Sequence, residues 1–248
     1  MSPLDLLQLA DASFPAGGFA FSNGLESLAK LGYVKSLDDF SGYLGCHLEQ
    51  IAAADMPFLT SAFAAAAPPG EATAPSGLSH AEGRAASDGL AETFATVAKE
   101  WDAWIFLPAP RRASLSQGQA WTRAMEAAWD LAGVKAVAPW FHARGIPMHF
   151  LMAFAATLRA AGFGLAESRT LLVHMALRDQ LGAAVRLGLI GSLQAQRMHR
   201  RHIDEGESLL RARADRIGAG HAAAERAAPM IDLGQASHPY LYSKLFQS

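Results

Sequence analysis

Residues 14–26, FPAGGFAFSNGLE, set a hydroxyl and a carboxylate four positions apart, beside three phenylalanines and three glycines. Ser22 and Glu26 therefore invite a test for chemistry. A phosphate-cradling loop needs G-x-x-x-x-G-K-[ST] after a strand, but Leu25 follows Gly24 and no strand pattern leads in. A nucleophile elbow needs G-x-S-x-G, and Ala20 stands where its first glycine belongs. A local reading remains. Ser22 is expected to cap the helix that carries Glu26, whose carboxylate suits the first turn of that helix. The glycines let the chain bend sharply. Phe14, Phe19 and Phe21 are left over, as core or as a docking surface for another protein.

His199 and His202, in MHRRH, lie three apart and could share one face of a helix. Arg200 and Arg201 between them repel a cation, and no carboxylate or cysteine joins at ligand spacing. The pair is the nearest approach to a metal site, and the plainer reading is a solvated helical face, so no metal is expected. Cys46 and His47 are adjacent and point different ways on a helix. Asp179 and Arg186 fall about two turns apart on one face, with Gly182 and Ala183 between them. Small residues there would admit another helix, of this chain or of a partner. The last nine residues hold Tyr240, Leu241, Tyr242, Leu245 and Phe246. So apolar an end either docks on its own domain or awaits a partner.

The elements that must position these residues are helices. The chain has 248 residues, 51% of them hydrophobic, with a net charge of −2 and one cysteine. That balance excludes a disulfide framework and a four-cysteine zinc site, and it lacks the basic stripe that nucleic acid calls for. The start, MSPLDLLQLAD, does not read as a secretion signal. The most apolar window, 148–165, is broken by Arg159. A cytoplasmic protein away from membranes is expected.

No run alternates as strands do. Ser36 and Asp39 form a capping pattern, and Leu37, Phe40, Leu44, Leu48 and Ile51 follow at helical spacing until Pro57 kinks or ends the run. Leu115, Gly118, Thr122, Met125 and Trp129 share a face, 138–147 reads as a turn region between prolines, and helices are expected over 149–161, 166–190 and 197–217. Residues 67–90 are small, polar and rich in breakers, so a flexible loop is expected there. The expected fold is all-α, a single domain of about ten packed helices without a β-sheet, ending in a tail over 235–248 that orders on partner binding.

Four blocks, in order, resemble one family. LLQLADASFPAGGFAFSNGLE is similar to the amino-terminal signature of the urease accessory protein UreF. RRASLSQGQA resembles its Arg-x-Ser-x-x-x-Gly segment, GAAVRLGLIGSLQAQR its Ala-Val-Arg-Leu block, and MIDLGQASHPYLYSKLFQS its closing segment. The resemblance covers nearly the whole chain apart from 67–90. It implies a helical homodimer that is not a catalyst. It implies partners too: a UreD-type protein (UreH in some organisms), the GTPase UreG, and apo-urease. Nickel and GTP are then handled by the GTPase, with no cofactor bound by this chain.

On this resemblance, the corner from Phe14 to Glu26, including Phe19, Phe21 and Ser22, is expected to meet the UreD-type partner. The tail residues Tyr240, Tyr242, Lys244, Leu245 and Phe246 join it. Arg186, Gln194 and Gln196 are expected on the GTPase-facing side or along a path for metal. The chain departs from the family in carrying Phe21 where a polar ring is common and Lys244 where arginine is usual; lysine lacks the planar fork of arginine. Three rival readings are a nickel carrier using His47, His199 and His202, a helical adaptor unrelated to urease, and a helical enzyme with a site near Ser22, Glu26 and the histidines, whose titratable groups would converge in a pocket.

Overall fold

A computed structural model describes residues 2–66 and 80–247, and within this range the side chains of 80–87 are not considered. The chain runs through α1 (Pro3–Ala10), a 3₁₀ turn (Gly18–Ala20), α2 (Leu25–Lys30) and α3 (Leu37–Gln50). A π-turn (Ile51–Asp55) joins α3 to α4 (Met56–Ala65). There follow α5 (His80–Trp104), α6 (Pro108–Ala128), α7 (Ala132–Lys135), α8 (Val137–Ala143) and α9 (Phe150–Ala160). The remainder is α10 (Leu165–Arg186), α11 (Ser192–Ala212), α12 (Ala214–Ala219) and α13 (Pro229–Ser237), with 3₁₀ turns at His221–Ala223 and His238–Tyr240. Every regular element among the described residues is helical, as the periodicity requires.

Local signals explain most boundaries. Ser36 Oγ accepts from Asp39 N at 3.1 Å while the Asp39 carboxylate accepts from Ser36 N at 2.9 Å, a reciprocal capping box. Phe40, Leu44, Leu48 and Ile51 are buried on one face as their spacing predicts, whereas Leu37 is exposed at the helix start. Pro57 does not end the run, which continues through the π-turn into α4. It sits in the first turn of α4, behind the π-turn, where its missing N–H costs no bond.

Two expectations are corrected. Residues 137–143 of the supposed turn region are helical, because Pro139 falls in the first turn of α8. Of the expected loop over 67–90, residues 67–79 lie outside the described residues, and the chain is helical from His80. Alanine, glutamate and arginine in that stretch favour helix more than Gly83 and Gly89 oppose it.

The helices enclose two adjoining cores. The larger gathers α4, α5, α6 and α9 around Phe58, Trp121, Phe141 and Phe154. Each such fully buried ring contributes roughly 2–3 kcal/mol. Trp121 also donates its indole N–H to Thr157 Oγ1 at 2.8 Å. The smaller joins α2, α3, α11 and the second half of α10 through Leu25, Phe40, Leu44 and Leu181. The long α10 spans both: Leu171, Leu172 and Met175 face the first core, Leu177 and Leu181 the second. Arg178 ties α1 to α10 by donating to the carbonyls of Ala10 and Asp11, each at 2.9 Å.

Candidate functional site

The corner and the tail, far apart in sequence, meet. Gly17 and Gly24 adopt positive φ of 79° and 87°, and Asn23 one of 49°, so the chain reverses twice before α2. Gly24 is also a point of close approach. A Cβ there would lie 2.9 Å from Gln235 N, and one on Gly234 would lie 2.8 Å from the Gly24 carbonyl. These two glycines let α13 lie against the corner, and the chain leaving α13 then reaches α2.

Glu26, wholly buried, is the anchor. Its carboxylate accepts from Leu245 N at 2.7 Å, Phe246 N at 3.1 Å and Lys30 Nζ at 2.8 Å, and His238 Nε2 lies 3.4 Å away. Burial opposes the charge, but Lys30 and the two tail amides outweigh it and hold the carboxyl below its ordinary value. Lys30 also donates to the Ser243 carbonyl, and Gln247 N donates to the Ala20 carbonyl at 2.9 Å. Arg186 completes the lock. Its guanidinium lies 3.6 Å from the Phe19 ring centre and 4.3 Å from that of Phe246, and it donates to the Phe19 carbonyl.

Ser22 is buried, and its Oγ accepts from Glu26 N at 3.3 Å, but the N-cap position belongs to Gly24. The hydroxyl reaches the expected turn from two residues further back. The rings divide. Phe14, Phe21 and Phe246 are buried, whereas Phe19 is 73% exposed, Tyr240 88%, Leu245 59% and Tyr242 fully. Lys244 donates to the Pro239 carbonyl at 3.0 Å and stays exposed. The tail, expected to order on partner binding, is therefore held against its own corner in the isolated chain.

Other predicted residues lie elsewhere. Gln194 caps α11 by accepting from Gly191 N at 2.9 Å, and Gln196 sits on the exposed face of the same helix. No described helix approaches at Gly182, where an added Cβ would meet open space; the close contact on this part of α10 is instead at Asp179, whose carboxylate a Cβ on Gly18 would overlap. His199 and His202 do not converge. His202 is buried between Met198 O (2.8 Å) and Ser41 Oγ (3.2 Å), while His199 faces the His174 ring. The helix is less solvated there than its charges suggest, because this edge of α11 packs on α3 and α10. Among the described residues, no three His, Cys, Asp or Glu side chains gather as a metal would require.

A second polar convergence carries no local motif. Asp102 on α5, Ser114 on α6 and His149 at the start of α9 form a chain: His149 Nε2 lies 2.8 Å from Asp102 Oδ1, and His149 Nδ1 lies 3.1 Å from Ser114 Oγ. Arg111 pairs with the same carboxylate. Gly118 permits the convergence, since a Cβ there would strike the Met148 carbonyl. Ser114 borders a cavity of about 220 Å³ that is also lined by His47, Asp55, Trp101, Trp104 and Asp179. Burial alone pushes Asp55 up to about 7 and His47 down to about 4.

A model of the UreF family matches residues 34–202. The chain belongs to the UreF family. It is similar to the urease accessory protein F of Arabidopsis thaliana, 27% identical over 243 residues that cover 97% of this chain and 90% of the relative. It is also similar to the urease accessory protein UreF of Trichodesmium erythraeum, 23% identical over 244 residues, 98% of this chain and 95% of that one. A shorter match of 57 residues, 23% of this chain and 25% of the relative, reaches 44% identity with UreF of Marinomonas sp.. Membership makes this UreF chain a urease accessory protein, a participant in urease maturation. Its corner and tail flank the matched core on either side, and no described helix is long and apolar enough to cross a membrane.

Proposed function

We propose that this UreF chain is a cytoplasmic scaffold for nickel insertion into apo-urease, bridging a UreD/UreH-type protein and the GTPase UreG. It works as a homodimer and regulates GTP hydrolysis by positioning the GTPase; in urease maturation it is not itself a catalyst. Nickel and GTP stay with the GTPase. The observation that carries the reading is the latched tail, which leaves Phe19, Tyr240, Tyr242 and Leu245 exposed around a buried Glu26 held by Lys30 and beside Arg186. Exposed aromatic anchors on a rigid support are what a protein-binding hot spot needs, and a tail docked beforehand loses less entropy on binding than a free one.

The UreD-type protein is assigned to these exposed residues, and the GTPase to the side of α11 bearing Gln194 and Gln196. Co-expression with cognate UreD-type and UreG-type proteins, followed by size-exclusion chromatography, tests the assignment. Wild-type chain is expected to co-elute with both. Simultaneous Phe19→Ala and Tyr242→Ala substitution should release the UreD-type partner, and retention of that partner by a folded double variant would remove these residues from the interface.

A further inference from the structure

We propose that Ser114 is an acylable nucleophile served by His149 and Asp102, and that the cavity beside it accepts a small uncharged carboxylic ester. The protonation pattern follows from the hydrogen bonds. Arg111 pairs with the Asp102 carboxylate and also donates to the Asp102 carbonyl at 3.1 Å, so the carboxylate is held ionised and accepts from His149 Nε2–H. Nδ1 is left as an acceptor, 3.1 Å from Ser114 Oγ. A serine, a neutral imidazole and a carboxylate joined in this order are the working parts of nucleophilic acyl transfer. The imidazole is used in the opposite sense to the familiar triad, with Nδ1 as the base.

Two further features point to a ligand. Phe150 N, the first amide of α9, donates to Ser114 Oγ at 3.2 Å, and the next two amides, Leu151 and Met152, open the helix with no acceptor inside it. Free amides at a helix start beside the hydroxyl are donors of the type that receives an oxyanion. The cavity supplies the second. The indole N–H groups of Trp101 and Trp104 have no hydrogen-bond partner, and Trp101 is 93% buried in the cavity wall (7% exposed). Both nitrogens are sealed from the open volume, so the indoles add apolar wall to the cavity rather than donors. Leu107 and Phe150 give an apolar wall for an acyl chain. A bond chain that merely tied α5, α6 and α9 together would not need open volume beside Ser114.

In the step, Ser114 Oγ attacks the ester carbonyl carbon and its proton passes to His149 Nδ1. The tetrahedral intermediate collapses, the C–O bond to the alcohol breaks, and the leaving oxygen takes that proton. Water then attacks the acyl-serine, giving its proton to Nδ1, and the carboxylic acid departs as Ser114 Oγ regains a proton. The sum is ester plus water to acid plus alcohol.

The test is reaction of the full-length protein with a small alkyl fluorophosphonate, read by intact mass and peptide mapping, and with p-nitrophenyl acetate, read as a burst. One phosphonyl group per chain, on Ser114, is expected. His149→Gln should slow its formation about 100-fold or more, and Ser116→Ala, which changes the neighbouring exposed serine, should not. Wild-type protein that takes no label while a control serine esterase is fully modified would overturn the proposal. So would a label on another residue, or unchanged labelling of His149→Gln. The wild-type arm decides the matter even if a variant fails to fold.

Discussion

The latched corner and the buried Ser114 cavity put their polar groups to different uses. At the corner, one buried carboxylate is fully matched by two tail amides and Lys30, and the satisfied centre holds aromatic rings out toward solvent. At the cavity, Asp102, His149 and Ser114 are matched to one another, while the indole nitrogens of Trp101 and Trp104 stay unmatched and sealed from the open volume. The first arrangement spends its hydrogen bonds on shape and offers a surface. The second leaves open volume beside Ser114 and offers a pocket. The corner is not wholly satisfied either, since Ser27 Oγ on α2 lacks a hydrogen-bond partner, so the contrast lies in what each arrangement presents: rings on a surface, or open volume beside a hydroxyl.

The largest effect expected is from deleting residues 240–248. It should abolish co-elution with the UreD-type protein while the far-UV circular dichroism of the helical core persists, and undiminished binding would detach the tail from the interface. Next comes Glu26→Ala, which strands Lys30 and two tail amides and should cost about 3 kcal/mol in chemical denaturation, the scale for breaking a buried charge pair. The same carboxyl fixes a pH dependence. Its folded value is depressed, so its stabilisation is present above the ordinary glutamate value and is lost as pH falls through the depressed one. Glu26→Gln should flatten that acid limb, and an unchanged limb would show that other groups set it.

Gly24→Ala should cost about 2 kcal/mol, since it combines a strained positive φ with a Cβ 2.9 Å from Gln235 N. Faster hydrogen exchange at Leu245 and Phe246 is the sign to look for. The smallest effect is expected from Arg186→Ala, about 1 kcal/mol from two stacked rings at a partly exposed site. Its exchange rates should rise at Phe246 but not at Leu151 beside the cavity. A rise at both would mean that the two regions are coupled rather than independent.

The helical class was legible because apolar periodicity and the Ser36 capping box are local signals, and the corner was legible because its glycines and rings are contiguous. What joins the corner to the tail was not. Gly24 and Gly234 read separately as a turn glycine and a helix glycine, and only their contact shows why neither tolerates a side chain. Glu26 could be read as a first-turn carboxylate, but its tail acceptor role depends on residues more than two hundred positions away. Asp102, Ser114 and His149 share no motif. Ser114 stood inside a block matched for its family resemblance, and His149 was read only as a helix start. The one usable hint was Gly118, whose close approach to the Met148 carbonyl brings α6 and α9 together.

The π-turn at Ile51–Asp55 has a consequence for insertions and deletions. A π-turn fits one surplus residue into about the angle of four α-helical residues, so the helix behind it keeps its phase. Upstream, the apolar stripe of Phe40, Leu44 and Leu48 belongs to the smaller core; downstream, that of Met56, Leu59 and Phe63 belongs to the larger. Removing a single alanine from Ala52–Ala54 would thus restore an unbroken α-helical count with both stripes still on their own cores, whereas removing a second residue would swing the α4 stripe by about 100°.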